Sequence, residues 1–299
     1  MHSQNNNKNK NIQSAGNRNG SSETIRQLSN VDFSNEEWFR PWLAGIIDGD
    51  GNFDIRTLNN VRTLKAIRVK MHIRDLHILE VILKYLGFGR INKSKCEPYC
   101  IYIVSTKQHM EQLIHSINGL IRLKAPQFQE SCSCLNIDYV EANYTIEPFD
   151  PYFAGLIDTD GSIVFNYAYN RIECTLEFKH SQYSEQLCLD YVIPNYKPRV
   201  FLRTKKNQAK DKQFKSIAFH YSTVKGMPFL YDYFRKNKLF CEIKSYRISK
   251  IKSFLDIRHY QKYPAQSEEY QIYCDWALDF IKYLNPSWPQ TPFVKKLIR

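Results

Sequence analysis

Pro41-Trp42-Leu43-Ala44-Gly45-Ile46-Ile47-Asp48-Gly49-Asp50-Gly51 is matched, without a gap, by Pro151-Tyr152-Phe153-Ala154-Gly155-Leu156-Ile157-Asp158-Thr159-Asp160-Gly161, 110 residues further on. A period this long, present twice, marks one supersecondary unit duplicated within a chain. Each stretch reads as a short apolar helix ending in acid-x-acid-Gly. Pro41 and Pro151 suit a first helical position, where a missing N–H costs nothing, and Gly51 and Gly161 read as C-terminal stops. Asp150 is placed to cap the second helix, whereas Arg40 is a poor cap for the first. Gly45 and Gly49 share one helix face, as do Gly155 and Thr159. Small residues on one stripe let two helix backbones approach closely.

If the two helices pack on each other about a pseudo-twofold axis, Asp50 and Asp160 meet at the same end. Two carboxylates at the negative ends of two helices repel each other and oppose both helix dipoles. A cation must compensate, and a divalent metal is the usual answer at an oxygen-only site. Asp48 and Asp158 lie about 200° around the helix from Asp50 and Asp160, so they are assigned to structure. On these residues the chain resembles the LAGLIDADG homing endonucleases in their single-chain, two-repeat form, over roughly residues 41–258. The resemblance implies Mg2+ at Asp50 and Asp160, with the carbonyls of Gly49 and Thr159 assisting; Mn2+ or Ca2+ can occupy the same positions. It also implies a lysine late in each repeat near the reacting phosphate, matched by Lys124 and Lys244. A polar residue ending the second strand of each repeat positions water in the family. The matching positions are taken as Met71 and His180, which puts equal activity on both strands in doubt.

Composition agrees with a polyanionic partner. The 299 residues carry 42 Lys+Arg against 30 Asp+Glu, a net charge of +12, which points to nucleic acid ahead of anionic membrane. No apolar run reaches the ~18 residues of a membrane-spanning helix. The eight cysteines form no CxxC pair and show no zinc spacing with His, so they read as reduced core thiols of an intracellular protein. Richness in Asn, Lys, Ile, Tyr and Phe suggests an AT-rich organelle genome, mitochondrial before chloroplast. Residues 1–36 are too polar to bury a core and read as a disordered lead or translation from an upstream exon. Ser34 to Glu37 has the form of a capping box.

Beyond Gly51 the apolar period becomes two. Phe53 and Ile55, then Ile67, Val69 and Met71, alternate with polar or basic residues, giving antiparallel strands with one buried face. A helix from Leu76 ends at Gly87, strands follow near 90–93 and 99–104, and Ser105-Thr106 caps a further helix. The second half repeats the order, with a short helix over 185–192 and a strand over 200–204. Ser222-Thr223 follows Ser105-Thr106 by 117 residues rather than 110, which places seven extra residues in a Lys-rich hairpin, Lys205 to Phe214. Both a plain loop and a set of phosphate contacts fit that hairpin. The expected class is α+β: two pseudo-symmetric αββαββα repeats, each with a four-stranded antiparallel saddle, packed through the two signature helices. The boundaries are 37–136 and 150–258, with a linker over 137–149 and a C-terminal extension over 259–299 that holds a helix, Glu268 to Tyr283.

The polar strand faces are suited to reading base edges in a major groove. The candidates are Arg56, Arg68, Lys70, His72 and Arg90 in the first saddle. In the second they are Asn166, Glu177, Lys179, His180, Arg199, Arg203 and Lys205. At ~3.3 Å per residue each saddle spans about 30 Å, and two follow about 18–20 base pairs. The sequence-based expectation is a monomeric, metal-dependent endonuclease acting on double-stranded DNA at a long asymmetric target. The alternative is an RNA maturase that binds its host intron through the same basic surface. A third reading is a binding module that has lost catalysis.

Overall fold

The computed structural model describes residues 36–58, 60–207 and 212–298, without the side chains of residues 36, 58, 205–207, 212 and 213. The expected polar lead, the Ser34 side of the capping box, and Lys205, Lys206, Lys210 and Lys212 of the basic hairpin therefore lie outside the described residues or side chains.

Helix α1 (Glu36–Asp50) runs straight into strand β1 (Gly51–Leu58), which pairs with β2 (Val61–His72). Helix α2 (Leu76–Leu86) stops at Gly87, whose φ of +70° is the left-handed turn that closes it. Strands β3 (Arg90–Lys93) and β4 (Tyr99–Val104) complete a sheet in the order β1-β2-β4-β3, and all neighbours are antiparallel. Helices α3 (Lys107–Ile117) and α4 (Ala125–Leu135) follow. The second half has α5 (Tyr152–Thr159), β5 (Ser162–Asn166), β6 (Arg171–Lys179), α6 (Gln182–Gln186), β7 (Arg199–Asn207) and β8 (Lys212–Tyr221). Its sheet order, β5-β6-β8-β7, is that of the first. Helices α7 (Met227–Lys236), α8 (Glu242–Ser249), α9 (Ile251–Ile257), α10 (Glu268–Lys282) and α11 (Val294–Leu297) complete the chain. The α+β class with two four-stranded antiparallel sheets is as expected.

The two signature helices pack on each other through their small residues. A Cβ built on Gly45 would stand 2.3 Å from the Tyr152 carbonyl oxygen, and one on Gly155 would stand 2.2 Å from that of Trp42. At Gly49 the obstructing atom is Oγ1 of Thr159, 2.0 Å away. The seam is therefore closed by backbone on both sides, which only glycine permits.

Several expectations are corrected. Pro41 is inside α1, which begins a turn earlier at Glu36. Gly51 and Gly161 are not left-handed caps; neither has a positive φ. What they avoid is collision, because a Cβ there would lie 2.5 Å from Ile47 O and 2.5 Å from Ile157 Cα. The helix expected over 185–192 is only Gln182–Gln186, closed by a reciprocal Ser181–Ser184 capping box. The second repeat closes on two helical pieces, α8 and α9, broken at Lys250. Thr106 occupies the N-cap of α3 but makes no side-chain cap bond, and Ser105 Oγ instead accepts from Arg90 Nη1 at 2.9 Å. Among the thiols Cys96 is exposed rather than in the core. Asp150 does act at the start of α5, accepting from Tyr152 N–H at 2.8 Å.

Candidate active site

The site is built by the ends of α1 and α5. Asp50 is the last residue of α1, and Asp160 follows the last residue of α5. Asp50 is half-buried and Asp160 is exposed at the rim, and desolvation at the helix ends pushes both carboxyls above the usual carboxylate range. For Asp50, burial and the neighbouring charge of Asp160 raise the pKa to about 6, against the opposing pull of Lys124 and Lys244.

The lysines singled out from the sequence arrive by the same route in each repeat. Lys124 Nζ donates to the carbonyls of Ile47 (3.0 Å), Gly49 (2.6 Å) and Gly51 (2.6 Å). Lys244 Nζ donates to those of Ile157, Asp158 and Thr159 at 2.8–2.9 Å. Each ammonium thus sits on the unpaired carbonyls at the negative end of its own repeat's signature helix. Part of the cationic compensation that the paired acids require is supplied by these lysines. Burial lowers the Lys124 pKa, and the charges of Asp48, Asp160 and Asp50 resist that shift.

The inner acids hold those lysines in place. Asp48 is buried and accepts from the backbone N–H groups of Arg122 (2.7 Å) and Lys124 (2.9 Å). Asp158 accepts in the same way from Phe240 and Cys241 N–H, at 3.0 and 2.8 Å. Their structural assignment is supported, and it acquires a mechanism: each fixes the loop that delivers a lysine. Each acid also accepts from the opposite repeat. Tyr152 donates its O–H to Asp48 at 2.7 Å, and Trp42 donates its Nε1–H to Asp158 at 3.0 Å. Trp42 and Tyr152 are 110 residues apart, like the acids, so the two bonds are pseudo-twofold mates. Nothing in the sequence pairs an aromatic with the other repeat's acid until the helices are docked.

Two cavities open beside the helix ends. One, of about 480 Å³, is lined by Gly49, Lys124, Asp160, Glu177, Lys179 and His180, among others. The other, of about 440 Å³, is lined by Asp50, Lys70, Met71, His72, Glu97, Pro98 and Tyr99. The strand registers correct the equivalence of Met71 with His180. Asn52 pairs with Arg68, and its mate Ser162 pairs with Thr175. Lys70 therefore corresponds to Glu177, and Met71 to Phe178. Met71 is buried in its core, so neither member of the proposed pair stands where the other does. The half-sites do differ, in that a cation faces one cavity where a carboxylate faces the other.

The register puts Arg56, Arg68, Lys70, His72 and Arg90 in the outward rows of the first sheet, and Asn166, Glu177, Lys179, Arg199 and Arg203 in those of the second. His180 lies one residue past β6, its Nε2 3.5 Å from Glu185. The side chain of Lys205 lies outside the described residues. Most of these groups are already held by neighbours. Asp54 takes both Arg56 and Arg68 at 2.8 Å, Glu177 accepts from Ser216 Oγ at 2.6 Å, and Arg203 Nη2 lies 2.9 Å from His220 Nε2. Lys70 sits 3.8 Å above the Tyr99 ring. Sequence reading missed Asp54, Tyr99, Arg171, Glu173, Ser216 and His220 on the same faces. The signal for them is cross-strand register, which alternation within one strand does not contain.

Two antiparallel saddles joined by glycine-packed helices with paired acids at their ends define the class of the LAGLIDADG proteins. Residues 43–130 match the family model described as LAGLIDADG endonuclease. The chain is 34% identical over 132 residues to the intron-encoded RNA maturase bI4 of Saccharomyces cerevisiae, covering 44% of this chain and 20% of that one. It is 26% identical over 231 residues to the intron-encoded DNA endonuclease ai2a of Dictyostelium discoideum, covering 77% and 70%. The chain thus spans a fifth of the yeast relative's length and most of the Dictyostelium one's. Among solved structures it is similar to the LAGLIDADG homing endonuclease I-GzeII in complex with its DNA target, with a TM-score of 0.52 at 15% identity over 81% of this chain and 98% of that one. The first repeat thus carries the LAGLIDADG endonuclease match, and the two-repeat fold of the whole chain is similar to that of the solved LAGLIDADG structure.

Proposed function

We propose that the protein is a site-specific, metal-dependent endonuclease that cuts both strands of double-stranded DNA at a long asymmetric target, encoded within an intron of an organelle, in first place mitochondrial, genome. The observation that carries this reading is the convergence of Asp50 and Asp160 at the ends of the packed helices, between two polar sheet faces. Among the described residues neither carboxyl forms an ion pair, and desolvation raises both. A converging pair of this kind suits a divalent cation, for which oxygen ligands from one or two carboxylates plus substrate phosphate are the common arrangement for Mg2+. Among the described residues no cluster of three His, Cys, Asp or Glu exists to hold a metal without substrate, which fits a site completed by the phosphodiester. Asp50 and Asp160 would hold the ion. The carbonyls of Gly49 and Thr159 already accept from lysine, so their part is to keep Lys124 and Lys244 in place, with a second lone pair remaining on each oxygen. A divalent ion held there would supply a lowered pKa for water and charge neutralisation at the phosphate. Lys124 and Lys244 hold positive charge next to the developing oxyanions, and the outward rows orient the duplex.

The test is a plasmid carrying the intronless insertion site, incubated with Mg2+ or with EDTA. Linear product only with Mg2+ is expected. Asp50→Asn combined with Asp160→Asn should keep DNA binding and lose cleavage; cleavage unchanged in that variant would sink the site assignment. A second reading, an RNA maturase, is favoured by the similarity to bI4. Under it the double variant still promotes splicing of the host intron, because RNA binding needs no paired acids.

A further inference from the structure

The two hairpins that lead away from the helix ends are unequal. β1 runs for eight residues and its ladder with β2 continues out to Leu58↔Val61, while β5 runs for five and its ladder with β6 stops at Asn166↔Arg171. At ~3.3 Å per residue the second hairpin ends about 10 Å short of the first. The first hairpin's far end carries Arg56 in its outward row, and the residue that stands in its place at the end of the second hairpin is Asn166.

The C-terminal extension packs against that short end. Phe165 on β5 meets the rings of Phe254, Trp276, Phe280 and Phe293, all between 5.4 and 6.0 Å. Phe293 stacks on Tyr167 at 5.1 Å. The turn is fastened as well: Asn170 Nδ2 donates to Arg258 O at 2.7 Å, Tyr273 donates to Asn170 Oδ1 at 3.0 Å, and Gln261 Nε2 donates to Tyr167 O at 3.1 Å. Helix α11 is thereby brought to the sheet's rim with Val294 and Leu297 buried and Lys295 and Lys296 exposed. Lys296 shares a groove of about 410 Å³ with Val164 and Asn166, both in the outward row of β5, and no carboxylate lines it.

We propose that α11 is an added phosphate-binding element: Lys295 and Lys296 contact the sugar–phosphate backbone of double-stranded DNA beyond the end of the β5–β6 hairpin, lengthening the footprint of the second half-site. This rests on the DNA-binding reading above. The extension sets helix-borne lysines beyond the shorter hairpin, at whose end Arg171 is already held by Glu173 at 2.6 Å. The charge is complementary to the backbone, and the groove is continuous with the face that the other outward residues form.

Because backbone contacts are independent of sequence, the probe is a fluorescein-labelled duplex of about 30 base pairs, titrated with the full chain at several salt concentrations. Lys295→Ala with Lys296→Ala should lower the slope of log K against log salt by about 1.8 and weaken low-salt binding several-fold, with an unchanged melting temperature. Lys295→Arg with Lys296→Arg should restore both. Wild-type binding with an unchanged slope in the alanine variant overturns the proposal alone. No wild-type binding to the duplex overturns the DNA reading and this inference together. A lowered melting temperature with an unaltered slope assigns the lysines to tail packing and also overturns it.

Discussion

Replacing Gly45 with Ala tests the claim that the helix seam positions the acids. The new Cβ would lie 2.3 Å from Tyr152 O, 2.9 Å from Leu156 N and 3.0 Å from Gly155 Cα, where ordinary contact begins at 3.4 Å. The shortfall, 3.4 − 2.3, is 1.1 Å against backbone atoms that no rotamer change can remove. The helices must separate by about that distance. Overpacking of this kind costs about 1–3 kcal/mol, and a fixed backbone obstacle puts it at the upper end. Alanine's better helix propensity returns about 1 kcal/mol, leaving a net loss of about 2 kcal/mol. For a chain of this size that is roughly 4–8 °C in Tm. Gly155→Ala meets Trp42 O at 2.2 Å and should cost a similar amount. Both substitutions force the same opening, so the double variant should lose clearly less than the sum in urea denaturation. Cleavage should fall further than stability, since the separation moves Asp50 away from Asp160. A Gly45→Ala protein as stable as the parent, or a double variant with additive losses, would refute the close-packed seam.

Tyr152→Phe withdraws the O–H donated to buried Asp48 and should destabilise by about 1–3 kcal/mol in chemical denaturation, with the loop of Lys124 loosened in hydrogen exchange. Phe165→Ala removes the ring around which the C-terminal extension is gathered. A loss of about 3–5 kcal/mol is expected, with proteolysis released first within residues 259–298. Asp158, buried beneath Trp42 and the 240–241 turn, has its pKa pushed up to about 6 by that burial. The folded state then keeps a proton that the unfolded chain releases near pH 4. Its stabilising contribution is complete below that pH and is lost as pH rises through 6, by an amount on the order of 3 kcal/mol. Asp158→Asn should flatten that part of the stability–pH profile relative to the parent, apart from a constant offset where the amide meets Trp42 Nε1–H. An identical slope in parent and variant would show that Asp158 is ionised throughout.

The paired helices, both saddles and the strands at 90–93 and 99–104 were legible because each rests on a local regularity: a repeated motif, a period of two, or a glycine stop such as Gly87, whereas the strand read over 200–204 runs from Arg199 to Asn207. What was not legible depends on registration between distant segments. Alternation within β2 and β6 shows which residues share a face, but the offset between the repeats is set by hairpin length. Matching the residues taken to end the second strand of each repeat therefore gave Met71 and His180, whereas pairing sets Lys70 against Glu177 and Met71 against Phe178. The short α6 was overextended for a related reason: Leu187, Leu189 and Val192 are apolar at helical spacing, yet they are buried in an irregular bridge-and-turn segment tied to the linker by Ile146 N–H to Cys188 O and Phe149 N–H to Val192 O. Tertiary hydrogen bonding overrode the local period.

The acids of the motif illustrate how one short sequence serves two purposes. Asp50 and Asp160 face the open end, where charge is compensated only in part. Asp48 and Asp158, two residues earlier, are turned into the core and meet four and three donor groups respectively, if the shared Phe240 N–H is counted once and the Leu123 N–H is included. The backbone donors among them, from residues 122–124 and 240–241, belong to the segments that bring Lys124 and Lys244 onto the helix ends. The inner acids act on the outer pair through the lysines, so a substitution at Asp48 or Asp158 perturbs the site electrostatically as well as the fold. The reciprocal bonds from Tyr152 and Trp42 bind that arrangement to the docking of the two repeats. Each inner acid takes one of its bonds from the other half's helix, which couples the anchoring of the lysines to the integrity of the glycine seam.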